Sequence, residues 1–261
     1  MKFSLAMPTR DMASYVGAAA RSALSQTEEE VELLVQDACS TDGTADVLTA
    51  LGDPRVAVVR EPDGGQADAI NRGLARATGE ILGWLNGDDE LEPGALATVA
   101  AVFEREPSTE LVYGRGAYFD GSGARLRPYD VRAFDRRLLL TRDYILQPAA
   151  FWRRSLWERV GPLDVNLTWG FDWDWFIRAS RETSFRLVDV ELARYGLTGE
   201  NKSIAGGAER QAELAKIARR HGGRRQPTYL YWRFTLLKHR VPYVAPLEPL
   251  LWRLFPGRIM A

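Results

Sequence analysis

A single cysteine, Cys39, leaves the 261-residue chain unable to form an internal disulfide, so nothing in it points to an oxidising compartment. Histidine is almost as scarce. The only two, His221 and His239, both fall late in the chain, which argues against a zinc site built from paired His and Cys ligands. No run of about 18 uncharged apolar residues occurs, so no segment reads as a membrane-spanning helix. The apolar opening is interrupted by Pro8-Thr9-Arg10-Asp11, too early for a signal peptide. The expected compartment is the cytosol. Internal repeats and low-complexity tracts are also missing.

Net charge is small too, at −1, but it hides an asymmetry. From Lys216 onward there are ten Lys and Arg and one acid, Glu248, so a basic tail follows an acidic body. Such a tail fits an anionic surface or a solvated helix. Nucleic acid is not the expected partner, because the body would repel phosphate.

What is present is a regular alternation. Residues 3–7, 31–36, 56–60 and 80–85 read as strands, and residues 14–24, 44–51, 66–77 and 93–105 as helices, the last opened by Pro93. Alternation of this kind predicts an α/β fold, a mainly parallel sheet flanked by helices. Beyond residue 110 the pattern changes. Strands at 111–118 and 125–129 flank the turn Asp120-Gly121-Ser122-Gly123, helices are expected near 134–141, 154–160 and 172–181, and a strand at 185–190. From about residue 206 the chain reads as helical. The expected organisation is one unit over 1–205, in two halves at 1–110 and 111–205, followed by a basic, aromatic-rich helical region at 206–261.

Polar clusters follow the first four strands: Pro8-Thr9-Arg10-Asp11, the run from Asp37 to Thr44, Glu61-Pro62-Asp63-Gly64-Gly65-Gln66, and Asn86-Gly87-Asp88-Asp89. Each alone is an ordinary turn. Together they define one pocket, because ligands of open α/β sheets collect beyond the carboxyl ends of the strands. In the fourth cluster, Asp88 and Asp89 sit at the tip of an apolar strand. A hard cation such as Mg²⁺ takes one or two carboxylates plus substrate phosphates, so this turn is a candidate metal site.

Five stretches in order resemble the family-2 glycosyltransferases of the GT-A (Rossmann-like) fold, inverting enzymes that use nucleotide sugars. They are residues 15–27, residues 37–44, residues 63–73 (DGGQADAINRG), residues 77–93 (ATGEILGWLNGDDELEP) and residues 147–178, spread over about three quarters of the chain. The resemblance implies that Asp88, as the final Asp of the family's Asp-x-Asp, binds Mn²⁺ or Mg²⁺. Asn86 occupies the first position of that motif as an uncharged departure, and Gly87 the middle. It further implies that Asp37 holds the nucleobase, although Ala38 stands where many relatives have a second Asp. Thr9, Arg10 and Asp11 would line the nucleoside pocket, and Asp63, Gln66, Asp68 and Asn71 the ribose and diphosphate side. Local helix-start capping is a competing role for Asp68 and Asn71. Leu197 and Thr198 stand where relatives often carry a His, leaving Lys202 as a candidate diphosphate contact.

On the acceptor side, Trp169-Gly170-Phe171-Asp172-Trp173-Asp174-Trp175 sets two carboxylates among aromatic rings. An inverting transfer needs one carboxylate near the acceptor hydroxyl, and desolvation by aromatics would raise its pKa to a useful range. By its place in the family's Gly-Glu-Asp-x-Asp-type motif Asp172 is the expected base, with Phe171 replacing the first acid. Asp174, two residues on, points elsewhere on a helix and is expected to pair with Arg178. Gln147, Trp152, Trp169 and Asp174 are the candidate acceptor contacts, with core packing the competing role for Trp152, Trp173 and Trp175.

Residues 226–258 interleave aromatics with Lys and Arg, the pattern of an interfacial membrane helix. Packing on the catalytic unit or on a second subunit is the competing reading. The expected function is transfer of a sugar from a nucleotide-sugar donor to a saccharide or lipid-linked acceptor, with possible peripheral contact at the inner membrane face. A catalytically degenerate nucleotide-sugar-binding module acting with a partner is the alternative. A sugar nucleotidyltransferase is disfavoured, because the first strand is not followed by a Gly-rich phosphate loop.

Overall fold

The computed structural model describes residues 1–26, 30–198 and 206–222, with Phe234 and Leu237. Its first half is wound as the alternation predicts. Strands β1 (Lys2–Thr9), β2 (Glu30–Asp37), β3 (Val56–Arg60) and β4 (Ile81–Trp84) lie parallel in the order β3-β2-β1-β4. β1 is buried on both faces, with Phe3, Leu5, Ala6 and Met7 all sealed from solvent, which is why it reads as a continuous apolar run rather than an alternating one. Helices α1 (Val16–Leu24), α2 (Thr44–Thr49) and α3 (Gln66–Ala75) connect these strands. Alanines at 19, 20 and 23 on α1 and at 67 on α3 form much of the buried helix faces. Small side chains of this kind let a helix lie close to the sheet.

The two-residue strand β5 (Glu90–Leu91) follows the turn after β4, and α4 (Ala95–Arg105) follows it. Pro93 lies just outside α4, whose N-cap is Gly94 at φ +74°. The second half then extends the sheet. The hairpin β6 (Leu111–Asp120) and β7 (Arg125–Pro128) is followed by the short helix α5 (Arg136–Leu139), whose N-cap Asp135 accepts from the backbone of Arg137 and Leu138. A 3-10 turn (Gln147–Ala149) leads into β8 (Ala150–Arg153), which is antiparallel to both β4 and β6. Helices α6 (Arg154–Val160) and α7 (Phe171–Glu182) follow, and then β9 (Arg186–Leu197). The nine-stranded sheet of the described residues runs β3-β2-β1-β4-β8-β6-β9-β5, with β7 beside β6.

β9 is twice the expected length. Past Val190 it runs through Arg194 and Gly196, which carry no strand pattern of their own. Pairing makes it a strand: it lies parallel to β6 with two register shifts, and Ala193 and Arg194 then pair with β5. Its far end is thereby carried back to the turn after β4.

The last described element, α8 (Gly207–Gly222), buries Leu214, Ala215, Ile217 and Ala218 in the same core as the sheet. These four residues lie in the region from 206 onward that was expected to follow the 1–205 unit. Residues 226–258, apart from Phe234 and Leu237, lie outside the described residues. Among the described residues no helix is long and apolar enough to cross a membrane.

Candidate active site

The carboxyl ends of β1, β2 and β4 deliver Thr9, Asp37 and, just beyond β4, Asn86 to one edge of the sheet. A cavity of ≈ 400 Å³ opens there. Its walls include Thr9, Arg10, Asp11, Asp63, Gln66, Asn86 and Asp88, seven of the candidate donor and metal residues. Met12, Tyr15, Tyr195 and Thr198 also line it.

The β1 and β2 loops are tied to each other around this cavity. Asp11 sits at φ +51° and Cys39 at φ +58°, the left-handed region that non-glycine residues seldom occupy. Asp11 N–H donates to Ser40 Oγ at 2.9 Å, and Asp11 Oδ1 accepts from Thr41 N–H at 2.8 Å. Met12 N–H donates to Thr44 Oγ1 and Ala13 N–H to Asp42 Oδ2, each at 2.8 Å. The Ser40-Thr41-Asp42-Gly43-Thr44 run thus braces the β1 loop.

Asp37, the expected base holder, is held by the loops around it. It is 0% exposed and is absent from the cavity wall. Its carboxylate accepts from Thr9 Oγ1 (3.1 Å), Ser40 N–H (3.0 Å) and the Ser40 hydroxyl, with Arg60 Nε at 3.5 Å. Asp68 and Asn71 are also engaged by neighbouring groups and do not line the cavity. Asp68 accepts from Gly64 N–H at 2.8 Å and pairs with Arg72 at 2.8 Å. Asn71 exchanges two hydrogen bonds with the backbone of Leu163, at 2.9 and 3.0 Å. Asp68 takes the capping role of an acid in a first helical turn, whereas Asn71, in the middle of α3, ties the helix to the Leu163 segment.

The turn after β4 is held by a side-chain network. Asn86 Nδ2 donates to Asp89 Oδ2 at 2.8 Å and to Gln147 Oε1 at 3.3 Å, while its Oδ1 accepts from Gln66 Nε2 at 2.9 Å. Gln147 Nε2 in turn donates to the Trp84 carbonyl at 2.8 Å. Asp89, 1% exposed, also accepts from Gly196 N–H at 3.0 Å. Gly196 is required there, since a Cβ would meet the Asp88 carbonyl oxygen at 2.0 Å. Gly87 is buried against Met12. Asp89 therefore fastens the turn to β9, and Asp88 alone presents its carboxylate to the cavity. Burial pushes the Asp88 carboxyl above the usual range, and burial and then the Asp88 charge push Asp89 well above it.

This network accounts for the amide at position 86. Asp89 needs a donor at 2.8 Å, and a second carboxylate would repel it. Asn86→Asp is expected to destabilise the fold by about 1–3 kcal/mol, more at pH 8 than at pH 5 because the penalty requires both acids ionised. Urea unfolding at the two pH values measures this, and an unchanged midpoint at pH 8 would remove the network's role.

A second, smaller cleft of ≈ 70 Å³ shares Gln66, Asn86 and Tyr195 with the first cavity. Its remaining wall is Trp84, Gln147, Thr168, Trp169, Phe171 and Asp172. Asp172 enters it from the first turn of α7, and its Oδ1 accepts from Trp173 N–H at 2.8 Å. Burial pushes its carboxyl up to about 6, against the Trp173 hydrogen bond and the nearby Arg210 charge, which pull it down.

Two candidate acceptor contacts lie elsewhere. Asp174, 0% exposed, accepts from Arg178 Nε at 3.0 Å as expected, and also meets Arg220 at 3.0 Å and His221 Nε2 at 2.8 Å. Burial alone would raise its carboxyl, but His221 and then Arg178 bring it down to about 2. Trp152, 0% exposed, is enclosed by Trp84, Trp157 and Trp175 at centroid distances of 5.3, 6.1 and 4.6 Å. Trp173 and Trp175 are core too, their indole N–H groups donating to the carbonyls of Leu139 and Gly161. Lys202 lies outside the described residues.

Among the described residues no three His, Cys, Asp or Glu side chains converge to hold an ion. Asp88, in the cavity wall beside Asn86, fits a cation whose other ligands come from a bound diphosphate.

A sequence profile described as Glycosyl transferase family 2 matches residues 4–160. The chain belongs to this family. It is 36% identical over 209 residues to a PGL/p-HBAD biosynthesis glycosyltransferase of Mycobacterium bovis, covering 76% of this chain and 77% of that protein. It is 28% identical over 204 residues to the chondroitin synthase of Pasteurella multocida, covering 77% of this chain but 21% of the synthase. Among solved structures it resembles S. aureus TarS residues 1–349 in complex with UDP-GlcNAc, with TM-score 0.71, 17% identity, and 96% and 86% of the two chains covered. It also resembles the mannosyltransferase PcManGT of Pyrobaculum calidifontis in complex with GDP-Man and Mn²⁺, with TM-score 0.63, 17% identity, and 98% and 75% covered. The fold is of the GT-A glycosyltransferase type, a curled, mostly parallel sheet with flanking helices.

Tyr195 is the site residue that the sequence pattern concealed. It lines both clefts, yet it lies in the part of β9 whose strand state depends on pairing with distant segments. Tyr15 opens the first of the five family-like stretches, but no local feature assigns it to the cavity.

Proposed function

We propose that this chain is an inverting, metal-assisted glycosyltransferase that moves a sugar from a nucleoside-diphosphate sugar to a hydroxyl of a glycan or lipid-linked acceptor. The observation that carries the reading is the shared wall. Asp88 faces the larger cavity and Asp172 the smaller, with Gln66, Asn86 and Tyr195 between them. A donor whose nucleotide fills the first cavity would then present its anomeric carbon toward the second.

Thr9, Arg10, Asp11 and Asp63 supply a polar lining for the nucleoside and ribose, and Gln66 and Asn86 for the diphosphate side. Mn²⁺ or Mg²⁺, held by Asp88 and the diphosphate, would stabilise the charge that builds on the leaving group. Asp172 takes the proton of the acceptor hydroxyl as its oxygen bonds to the anomeric carbon and the bond to the diphosphate breaks, which inverts that centre. Trp169, Phe171 and Trp84 offer apolar ring faces to an acceptor sugar or aglycone. The name of the Pasteurella relative, a chondroitin synthase, supports a polysaccharide acceptor.

Calorimetric titration with UDP, GDP and their sugars tests the donor half. Binding is expected to depend on Mn²⁺ or Mg²⁺ and to weaken at least tenfold in Asp88→Ala, since a hydrogen-bonded or ligating charge is worth about 1.5–3 kcal/mol. Metal-dependent binding that survives in Asp88→Ala would sink the assignment. Tight binding without turnover on any acceptor would favour the nucleotide-sugar-binding module.

A further inference from the structure

The helix α8 lies beyond the family match and is fastened to α7 at two points. At the first, Glu213 accepts hydrogen bonds from the backbone N–H groups of Thr168 (2.7 Å), Trp169 (2.7 Å) and Gly170 (2.8 Å). One carboxylate therefore satisfies three consecutive donors in the residues that lead into α7. Such charge-assisted bonds are about twice as strong as neutral ones, and the helix dipole favours an anion at this end. Gly170 itself lies directly under α8, where a Cβ would meet Ile217 Cδ1 at 2.6 Å and Leu214 Cδ2 at 3.0 Å. At the second point, Arg220 and His221 hold Asp174. Asp172 sits between the two, two residues after the last N–H that Glu213 binds. Glu213 is not in the wall of the cleft that Asp172 lines.

We propose that Glu213 is a positioning residue for Asp172: from α8 its carboxylate fixes the backbone of residues 168–170, and with it the helical turn that aims Asp172 into the acceptor cleft. This rests on the reading of Asp172 as the base. The helix α8 is then part of the transferase site. A displacement of about 1 Å in a catalytic group costs on the order of 100-fold in rate, so the three bonds act on turnover without touching substrate. Glutamine cannot replace them, because its single oxygen accepts while its NH₂ faces at least one of the three N–H groups.

The test compares Glu213→Gln, Glu213→Asp and Asp172→Asn with the parent, as full chains. Glu213→Gln is expected to lower kcat about 10- to 100-fold with the KM for the nucleotide sugar unchanged. The acid limb of its pH–rate profile should move to lower pH, because a negative charge near Asp172 is lost while Arg210, Asp143 and Tyr129 remain. Amide exchange at residues 168–170 should quicken, with β1 and β2 unaffected. Glu213→Asp, which keeps the charge on a shorter arm, should lose less than Glu213→Gln, and it supplies the same readouts if the amide variant does not fold. Parent-like kcat and acid limb in Glu213→Gln, with Asp172→Asn inactive, would overturn the positioning role alone. Parent-like turnover in Asp172→Asn would overturn both.

Discussion

Asp172→Asn is expected to bind the nucleotide sugar as the parent does and to lose turnover by about 10³-fold, the usual contribution of a general base. The side chain keeps its size, so the Trp173 N–H bond to position 172 and the packing of α7 survive; what is lost is the ability to accept a proton. The parent should show why this carboxylate is suited to the task. Burial raises it to about 6, offset in part by Trp173 and Arg210, while Glu213 pushes it up. Activity should therefore rise with pH through about 6 as Asp172 ionises. Asp143 nearby is pushed well above the carboxylate range by burial and then by Asp172, and burial likewise raises Tyr129. Donor titration and single-turnover rates measured together decide the matter. Turnover within tenfold of the parent would remove Asp172 from the base role.

Asp174→Ala is expected to destabilise the protein by about 3 kcal/mol. Breaking a buried ion pair costs 3–5 kcal/mol because the partner charges are left without compensation, and partial exposure of Arg178 and Arg220 places this cluster at the lower end. His221 has little such relief, with a side chain 3% exposed. The same carboxylate should show in acid. Its folded-state value of about 2 lies below the ordinary 3.8, so the stabilisation is complete above about pH 4 and is lost as pH falls toward 2, on the order of 2 kcal/mol. Asp174→Asn should lose that part of the acid dependence. Chemical denaturation from pH 2.5 to 7 measures both effects. A variant as stable as the parent at pH 7 would show that α8 is not held through this cluster.

Asp172 and Asp174 lie two residues apart in one aromatic segment, and their separation into different roles follows from helix geometry. Two residues advance about 200° around a helix, so one carboxylate reaches the cleft and the other turns to the underside of α7. The sequence supplied the Arg178 partner by its i, i+4 spacing. Arg220 and His221 were invisible to it, because they arrive from more than 40 residues away on a helix whose docking is a tertiary event.

Local pattern by itself determined the parallel half of the fold, the strand-end clusters, and the five stretches that carry the family. These depend on periodicities of two and 3.6 residues and on turn chemistry, which neighbouring residues specify. The tertiary structure alone decided which polar groups at the strand ends face the cavity. Asp37, Asp68 and Asn71 stood beside Thr9, Asp63 and Gln66 as candidates, with capping the competing role for Asp68 and Asn71, and the folded chain bonds them to Thr9, Ser40, Gly64 and Leu163. The same holds for Asn86, an apparent gap in a metal motif until Asp89 is seen accepting its amide. Tyr195 and Glu213 complete the contrast. Each reaches the site on an element that folds there only by pairing or packing with distant chain, so their placement is a property of long-range contacts that no local window contains.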